Sequence, residues 1–229
     1  MTYALVHGAW HAGWHWQLVA EELRRRGRRA VAVDLPADAG ALAAAEAVAA
    51  ALGDDDTGPV TVVAHSMGGL VAPVVADRLA RAEAVVFVAG LLPALGTSWD
   101  EQVAAAERGS IILRGLSDGQ AAHGDDSSSW ADEDKAIARF YADAPPGLAR
   151  SAAARLRRQY WTVMHETCPL PAWPDVEYRS IVCTHDRVVS PEWSRRTFRD
   201  RFHRAAVDLD SDHSPFLSHP AALVDLLPA

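Results

Sequence analysis

The chain has 229 residues, of which 49% are hydrophobic and 23% charged, and its formal net charge is −8 at pH 7. A chain of this length buries about 70–75% of its unfolded surface, so it can form a stable core without disulfides or structural metals. The negative charge disfavours binding to nucleic acids and to anionic membrane surfaces, since both require concentrated basic side chains.

The cysteines and the apolar segments indicate the cellular compartment of the protein. Cys168 and Cys183 form neither a CxxC motif nor a disulfide framework. The longest apolar run, residues 84–95, is far shorter than the roughly 20 residues that span a bilayer. The N-terminus enters a strand-like run directly, and no secretory signal is visible there. We therefore predict a cytoplasmic, reduced protein without membrane association.

Short β-branched segments alternate with longer segments rich in Ala, Leu and Arg. The predicted strands are 3–6, 29–34, 60–64, 84–88, 179–183 and 205–209. The predicted helices of the same alternation are 16–26, 41–52, 68–80, 191–202 and 220–227. Repeated strand–helix–strand units predict an α/β fold, in which helices cover both faces of a mostly parallel sheet.

The segment between the fourth and fifth predicted strands, at about 92–175, breaks this alternation. It contains a Gly- and Ser-rich stretch at 124–129 and two helical stretches at 131–142 and 146–159. A long excursion inside a compact domain usually has a function. We therefore predict a single domain over 1–229, with a helical cap inserted after the fourth strand.

Ser66 lies where a predicted buried strand meets the helix that follows it. The local sequence is Ala64-His65-Ser66-Met67-Gly68-Gly69. Small residues two before and two after the serine permit the sharp turn that lifts a nucleophilic hydroxyl above the sheet. Ala64 replaces the first Gly of the G-x-S-x-G pattern and is small enough for the turn. The alternative is a serine that merely caps the following helix.

A serine nucleophile requires a histidine base and a carboxylate that orients the base. Asp186 follows the fifth predicted strand, and His213 lies in a loop after the sixth. Together with Ser66 they stand at the C-terminal ends of three strands, where open α/β sheets place active sites. As structural alternatives, Asp186 could pair with Arg187, and His213 could be a turn residue beside Asp212. The nearest competitors for the acid and base roles are His185, Asp210 and Asp212.

The segment after the first predicted strand reads His7-Gly8-Ala9-Trp10. Acyl transfer passes through an oxyanion, which backbone N–H groups stabilise. Gly8 lets the chain approach the reacting centre closely. We therefore predict that the N–H groups of Ala9 and Met67 form an oxyanion hole.

Two patterns suggest metal ligands as an alternative. One is a set of histidines spaced by four residues, as on one face of a helix: His7, His11 and His15. Glycines at positions 8 and 13 interrupt any helix there. The other is a pair of acidic runs, at 54–56 and 125–126, which is more typical of solvated loops. We therefore predict no metal site and no cofactor.

These motifs together resemble the α/β-hydrolase fold. More narrowly, they resemble the branch that contains plant methylesterases of small hormone esters, hydroxynitrile lyases and short bacterial esterase-like proteins. The likeness covers nearly the whole chain, is weakest in the cap, and rests on residues 7–14, 64–69, 182–187 and 212–214. It implies the strand order 2-1-3-4-5-6, a cap over Ser66, and a Ser66–Asp186–His213 triad.

The same resemblance distinguishes an esterase from a hydroxynitrile lyase. Hydroxynitrile lyases of this branch place Thr where this chain has Gly8 and Lys where it has Ser214. That Lys would be the cation that stabilises departing cyanide. The resemblance therefore favours an esterase over a lyase.

The sequence predicts a serine carboxylic-ester hydrolase that acts on a small apolar or aromatic ester, with methyl esters among the candidates. The residues predicted to contact the substrate are Gly8, Trp10, His65, Trp99, Tyr160 and Trp161. Three cap arginines could bind a substrate carboxylate or form a solvated helix face: Arg155, Arg157 and Arg158. A non-hydrolytic cyclase, lyase or thioesterase on the same triad, a binding protein, and a homodimer stay open.

Overall fold

The computed structural model describes residues 1–53, 58–106 and 109–229. Its strands are β1 (Thr2–Val6), β2 (Arg29–Val33), β3 (Val60–His65), β4 (Ala82–Val88), β5 (Gln120–His123), β6 (Ser127–Trp130), β7 (Gln159–Tyr160), β8 (Glu177–Cys183) and β9 (Val207–Leu209). Six of them form one parallel sheet in the order β2-β1-β3-β4-β8-β9. This is the predicted α/β architecture, and the predicted strand order is confirmed.

The central strands are buried along their whole length. Every residue of β1 and β3 is buried, as expected for parallel strands that helices cover on both faces. Val6 at the end of β1 pairs with Ala64 near the end of β3. The loops that follow these two strands therefore emerge side by side at one edge of the sheet.

The helices are α1 (Gln17–Arg25), α2 (Ala41–Leu52), α3 (Gly68–Arg78), α4 (Trp99–Ala105), α5 (Glu133–Phe140), α6 (Pro146–Ala153), α7 (Thr162–His165), α8 (Pro191–Phe202), α9 (Pro215–Ser218) and α10 (Pro220–Asp225). A short 3-10 helix, Gly13–Trp16, precedes α1. Prolines begin α8 and α10, where the missing N–H costs nothing. Ser190 caps α8, because its hydroxyl accepts the Trp193 N–H at 3.2 Å.

The segment between β4 and β8 contains the cap helices α4–α7, together with a sheet that the sequence analysis did not predict. Strands β5, β6 and β7 pair antiparallel, and Ser128 of β6 lies opposite Gln159 of β7. The Gly- and Ser-rich stretch 124–129 contains the turn between β5 and β6 and the first three residues of β6. Cross-strand pairing, which local composition does not encode, overrides the weak strand propensity of serine.

The predicted helix over 146–159 ends at Ala153. The chain then leaves the helix, and the Arg157 N–H donates to the Trp10 carbonyl at 2.7 Å. A tertiary hydrogen bond to the loop after β1 therefore replaces further helical bonds. The prediction of a single domain over 1–229 stays a prediction.

The structure also bears on the acidic runs and on the prediction of no membrane association. The acidic run 54–56 lies outside the described residues. In the run 125–126, Asp125 binds Arg158, and Asp126 accepts from His165 Nε2 at 2.7 Å. None of the helices described is long and apolar enough to cross a membrane.

Candidate active site

Ser66 stands on a sharp turn between β3 and α3. Its backbone has φ 51°, in the left-handed region that costs a residue with a side chain about 1–3 kcal/mol. Hydrogen bonds hold the strained residue on both sides: its N–H donates to the Val88 carbonyl at 3.1 Å, and its carbonyl accepts from Leu91 at 2.9 Å and Gly69 at 3.0 Å. A Cβ on Gly68 would lie 2.7 Å from the His7 carbonyl, so the turn requires glycine there.

Asp186 and His213 form a buried hydrogen-bonded pair. Asp186 Oδ2 lies 2.8 Å from His213 Nδ1, and both side chains are at most 2% exposed. Asp186 Oδ1 accepts the N–H groups of Val188 at 2.7 Å and Val189 at 3.0 Å, which fixes the carboxylate. The carboxylate requires a proton on Nδ1, so Nε2 of a neutral His213 is an acceptor.

Ser66 Oγ and His213 Nε2 make no hydrogen bond with each other in the described part of the chain. Hydrogen bonds of this kind are often long in unliganded sites and tighten when substrate binds. The two residues are linked through His65, which directly precedes Ser66 in the chain. Its Nε2–H donates to the His213 carbonyl at 2.9 Å, and the rings of His65 and His213 lie 4.6 Å apart.

The competitors for the acid and base roles are engaged with other partners. His185 and Asp210 are on the surface and face each other, with His185 Nε2 and Asp210 Oδ1 3.2 Å apart. Asp212 is buried but receives the N–H groups of Ser214 at 3.0 Å and Asp143 at 2.9 Å. Burial raises the pKa of Asp212. Asp212 therefore joins the His213 loop to the cap.

The loop after β1 packs directly on the Ser66 turn. A Cβ on Gly8 would lie 2.7 Å from Ser66 Cβ and 2.9 Å from His65 Nδ1, so no larger residue fits there. The N–H groups of Ala9 and Met67, one from each loop, donate to no acceptor within residues 1–53, 58–106 and 109–229. Two unused backbone donors therefore flank Ser66, as an oxyanion hole requires.

A row of histidine rings runs beneath this loop. The His11 ring lies 4.5 Å from His15 and 5.2 Å from His65. His11 Nδ1–H donates to the Ala9 carbonyl at 2.7 Å, and its Nε2 accepts the Tyr141 hydroxyl at 3.0 Å. Across the described residues, no three His, Cys, Asp or Glu side chains form a group that could hold a metal ion.

These histidines are buried in the uncharged form. Burial lowers the pKa of His7 and of His15 from 6.5 to about 4, and it lowers the pKa of His11 and His65 well below 6.5. Burial without a counter-charge penalises the imidazolium. Protonation of these four histidines therefore lowers the stability of the folded state.

We expect the free energy of unfolding to fall as the pH drops below 6.5, and the part of this loss that comes from His7 and His15 to level off near pH 4. In that window the unfolded chain binds protons that buried His7 and His15 do not. Each should contribute a loss of about 2 kcal/mol between pH 7 and 5. Urea titrations at several pH values measure the slope. The slope of the unfolding free energy against pH should be shallower in His15→Gln. It should be unchanged in the control His203→Gln, because His203 is exposed. A pH-independent stability would contradict the prediction.

Aromatic side chains cover the loop from the cap side. The Trp10 ring contacts Trp161 at 5.2 Å and Trp130 and Phe140 at 5.8 Å, and Phe140 in turn lies 5.8 Å from His213. The described residues that line an outer crevice of about 310 Å³ are all uncharged: Trp10, Ile112, Leu113, Gly115, Leu116, Ser117, Gln120 and Trp161. The arrangement can accommodate an apolar group next to the candidate oxyanion loop.

The structure separates the predicted substrate contacts into two groups. Gly8, His65 and Trp10 lie at the Ser66 turn or its neighbouring loop, and Trp161 reaches them through Trp10. Trp99 packs instead on Trp193 at 5.8 Å, and the Tyr160 ring lies 5.4 Å from the Arg158 guanidinium. These ring contacts of Trp99 and Tyr160 do not involve the Ser66 turn, so their substrate role stays a prediction.

Sequence analysis missed two residues that touch the site. Gln159 Oε1 accepts the Trp10 N–H at 3.1 Å, and Arg157 donates to the ring of His7 and to the carbonyl of His11. The sequence predicts Arg157 only as a carboxylate ligand or as part of a solvated helix face. The one signal in the sequence is a run of three consecutive polar residues, Arg157–Arg158–Gln159, and it points to no partner.

The fold and the serine turn define a class of protein. The profile of the Alpha/beta hydrolase family matches residues 4–226, nearly the whole chain. The protein therefore belongs to the alpha/beta hydrolase family.

Individual relatives are esterases by name. Methylesterase 7 of Arabidopsis thaliana is 34% identical over 105 residues, a match that spans only 40% of this chain and 40% of the plant protein. Methyl jasmonate esterase 1 of Vitis vinifera is 27% identical over 244 residues, covering 96% of this chain and 93% of the relative.

Solved structures share the fold over almost the full length. Polyneuridine aldehyde esterase superimposes with a TM-score of 0.81 at 15% identity, covering 98% of this chain and 96% of that one. A pyrethroid hydrolase from Sphingobium faniae JZ-2 gives a TM-score of 0.80 at 20% identity, covering 98% and 94%. At these identities the similarity establishes the fold alone.

Proposed function

We propose that the protein is a serine carboxylic-ester hydrolase with Ser66, His213 and Asp186 as its catalytic residues. The observation that carries the proposal is the buried Asp186–His213 hydrogen bond, 2.8 Å long, next to the strained Ser66 turn. A carboxylate buried against an imidazole has little structural use, because removing it from water is expensive. It has a clear chemical use as the group that orients a base.

The mechanism follows from these groups. His213 Nε2 takes the Ser66 proton, and Ser66 Oγ attacks the acyl carbon of the ester. The N–H groups of Ala9 and Met67 stabilise the oxyanion that forms. His213 then protonates the leaving alcohol, which departs and leaves an acyl-enzyme. Water, deprotonated by His213, attacks the acyl-enzyme, and the acid leaves as His213 returns the proton to Ser66 Oγ.

The surroundings of the site support a small apolar or aromatic ester as substrate. Trp10, Trp161 and Phe140 form the wall above the loop, and none of the described residues that line the outer crevice beside them is charged. Apolar walls with a few polar groups at the reacting centre are typical of sites for small ligands. The names of the relatives, a methylesterase and a methyl jasmonate esterase, agree with this substrate class.

The proposal is tested by combining turnover with active-site labelling. We expect the purified protein to hydrolyse members of a panel of methyl and chromogenic esters, releasing equal amounts of acid and alcohol. A fluorophosphonate should add one phosphonyl group, and peptide mass spectrometry should locate it on Ser66.

Each failure of this test has a distinct meaning. A product rearranged without addition of water would replace the hydrolase by a non-hydrolytic enzyme with the same nucleophile. Absence of both turnover and labelling would overturn the serine mechanism.

A further inference from the structure

The candidate oxyanion donor belongs to a peptide group that is held from its other end. The Ala9 N–H and the Gly8 carbonyl are parts of one planar peptide unit, so fixing one fixes the other. The Gly8 carbonyl accepts His7 Nδ1–H at 2.9 Å and the His11 N–H at 3.3 Å. Donation to this carbonyl also polarises the amide and strengthens its N–H as a donor. The hydrogen bond from His7 therefore helps to fix the orientation and the donor strength of the Ala9 N–H.

The tautomer of His7 is set by two donors on its opposite nitrogen. His7 Nε2 accepts the Leu35 N–H at 3.1 Å and an Arg157 Nη2–H at 3.0 Å. A ring nitrogen that accepts hydrogen bonds carries no proton, so the proton of neutral His7 must be on Nδ1. Leu35 belongs to the core, whereas Arg157 belongs to the cap. The cap thus supplies one of the two groups that keep Nδ1–H pointed at Gly8.

Arg157 also holds the rest of the loop. Its Nε and Nη2 donate to the His11 carbonyl at 3.0 and 2.9 Å, and its own N–H donates to the Trp10 carbonyl at 2.7 Å. Gln159 accepts the Trp10 N–H at 3.1 Å. Trp10 has φ 61°, a strained conformation that persists only when its surroundings enforce it. Both backbone groups of Trp10 are therefore satisfied by the cap.

We propose that Arg157 is a positioning residue for the oxyanion hole, reaching from the cap to hold His7 and the 7–11 loop so that the Ala9 N–H is presented to the oxyanion. The inference deepens the proposed function and rests on it. Its consequence is that the oxyanion hole is complete only while the cap is seated on the loop. The guanidinium is suited to this task because its planar fork can donate to His7 and His11 at once.

Arg157→Met tests the proposal, because it removes the guanidinium but retains much of the apolar stem. We expect kcat on a cleaved ester to fall on the order of 10²-fold, the usual effect of losing one oxyanion donor, with KM changed less than about threefold. Affinity for a boronic acid, whose serine adduct is tetrahedral and anionic, should fall in parallel with kcat. Affinity for the planar carboxylic-acid product should not change.

The matched control is Arg158→Met at the adjacent position. Arg158 donates to Ser127 Oγ at 2.6 Å and binds Asp125, both within the cap, and its hydrogen bonds do not involve the loop. We expect its kcat and boronate affinity to stay within about twofold of the parent protein. Because Arg157 is partly exposed, added guanidinium ion should restore part of the activity of Arg157→Met. Sodium chloride at the same concentration should not.

The outcomes separate the two proposals. Equal kcat and equal boronate affinity in Arg157→Met and Arg158→Met, with the parent protein active and labelled on Ser66, would overturn the positioning role alone. A parent protein that is neither active nor labelled would overturn the proposed function. If Arg157→Met does not fold, Arg157→Lys serves instead. It keeps the charge but not the fork, and an unchanged kcat in that variant would likewise contradict the inference.

Discussion

Ser66→Ala is expected to lower kcat on a cleaved ester by on the order of 10⁶-fold, the effect of removing the nucleophile from a serine triad. An alanine side chain cannot form an acyl-enzyme, so fluorophosphonate labelling should disappear as well. The substitution removes only the hydroxyl, and Ser66 Oγ makes no hydrogen bond with the described residues. The fold should therefore survive, and the melting temperature should change little. Steady-state kinetics at high enzyme concentration, with mass spectrometry of the labelled protein, measure both effects.

Ser214→Ala is the matched control for this variant. Ser214 is fully buried beside His213, and its Oγ has no hydrogen-bond partner in the described part of the protein. Removing an unsatisfied buried hydroxyl is neutral or stabilising, so activity should be retained. Turnover by Ser66→Ala within tenfold of the parent protein would show that the chemistry belongs to another group.

Asp186→Asn is expected to lower kcat on the order of 10⁴-fold while the fold is retained. The reason lies in how the carboxylate is held. Oδ1 accepts the N–H groups of Val188 and Val189, so the asparagine oxygen should occupy that position. The amide NH₂ then faces His213 Nδ1 as a donor and drives the ring proton to Nε2. His213 in that tautomer cannot take the Ser66 proton.

Asp212→Asn controls for the loss of a buried carboxylate near His213. Asp212 accepts the N–H groups of Ser214 and Asp143 and makes no hydrogen bond with the His213 ring within the described residues. We expect Asp212→Asn to lower the melting temperature but to leave kcat within about tenfold. A loss of 10⁴-fold in Asp212→Asn with little loss in Asp186→Asn would reverse the assignment of the acid.

The placement of the candidate site could be predicted because it depends on strand ends. Ser66 and Asp186 each follow a strand that contains successive β-branched, apolar residues, whereas His213 follows the short strand β9, which has a single β-branched residue. Parallel strands end at one edge, so their following residues converge without any knowledge of the loops. The Asp186–His213 contact follows from this rule. The exposed positions of His185 and Asp210 do not, since they depend on the loop conformations.

The cap could not be predicted to the same extent. Strand β7 has two residues, and β6 is three serines and a tryptophan, so neither carries a strand pattern of its own. Their pairing depends on partners about 30 residues apart in the chain. Arg157 lies beyond the end of α6, and its contacts with His7 and His11 span about 150 residues. No local pattern encodes such a contact.

The tryptophan cluster above the loop has an optical consequence. Trp10 belongs to the core loop, whereas Trp130 and Trp161 belong to the cap, and their edge-to-face rings lie 5.8 and 5.2 Å from Trp10. Indole transitions this close couple and give a near-ultraviolet circular dichroism signal that depends on tertiary packing. The protein thus carries two intrinsic chromophore pairs across the cap boundary, and cap displacement can be followed by spectroscopy without an added label.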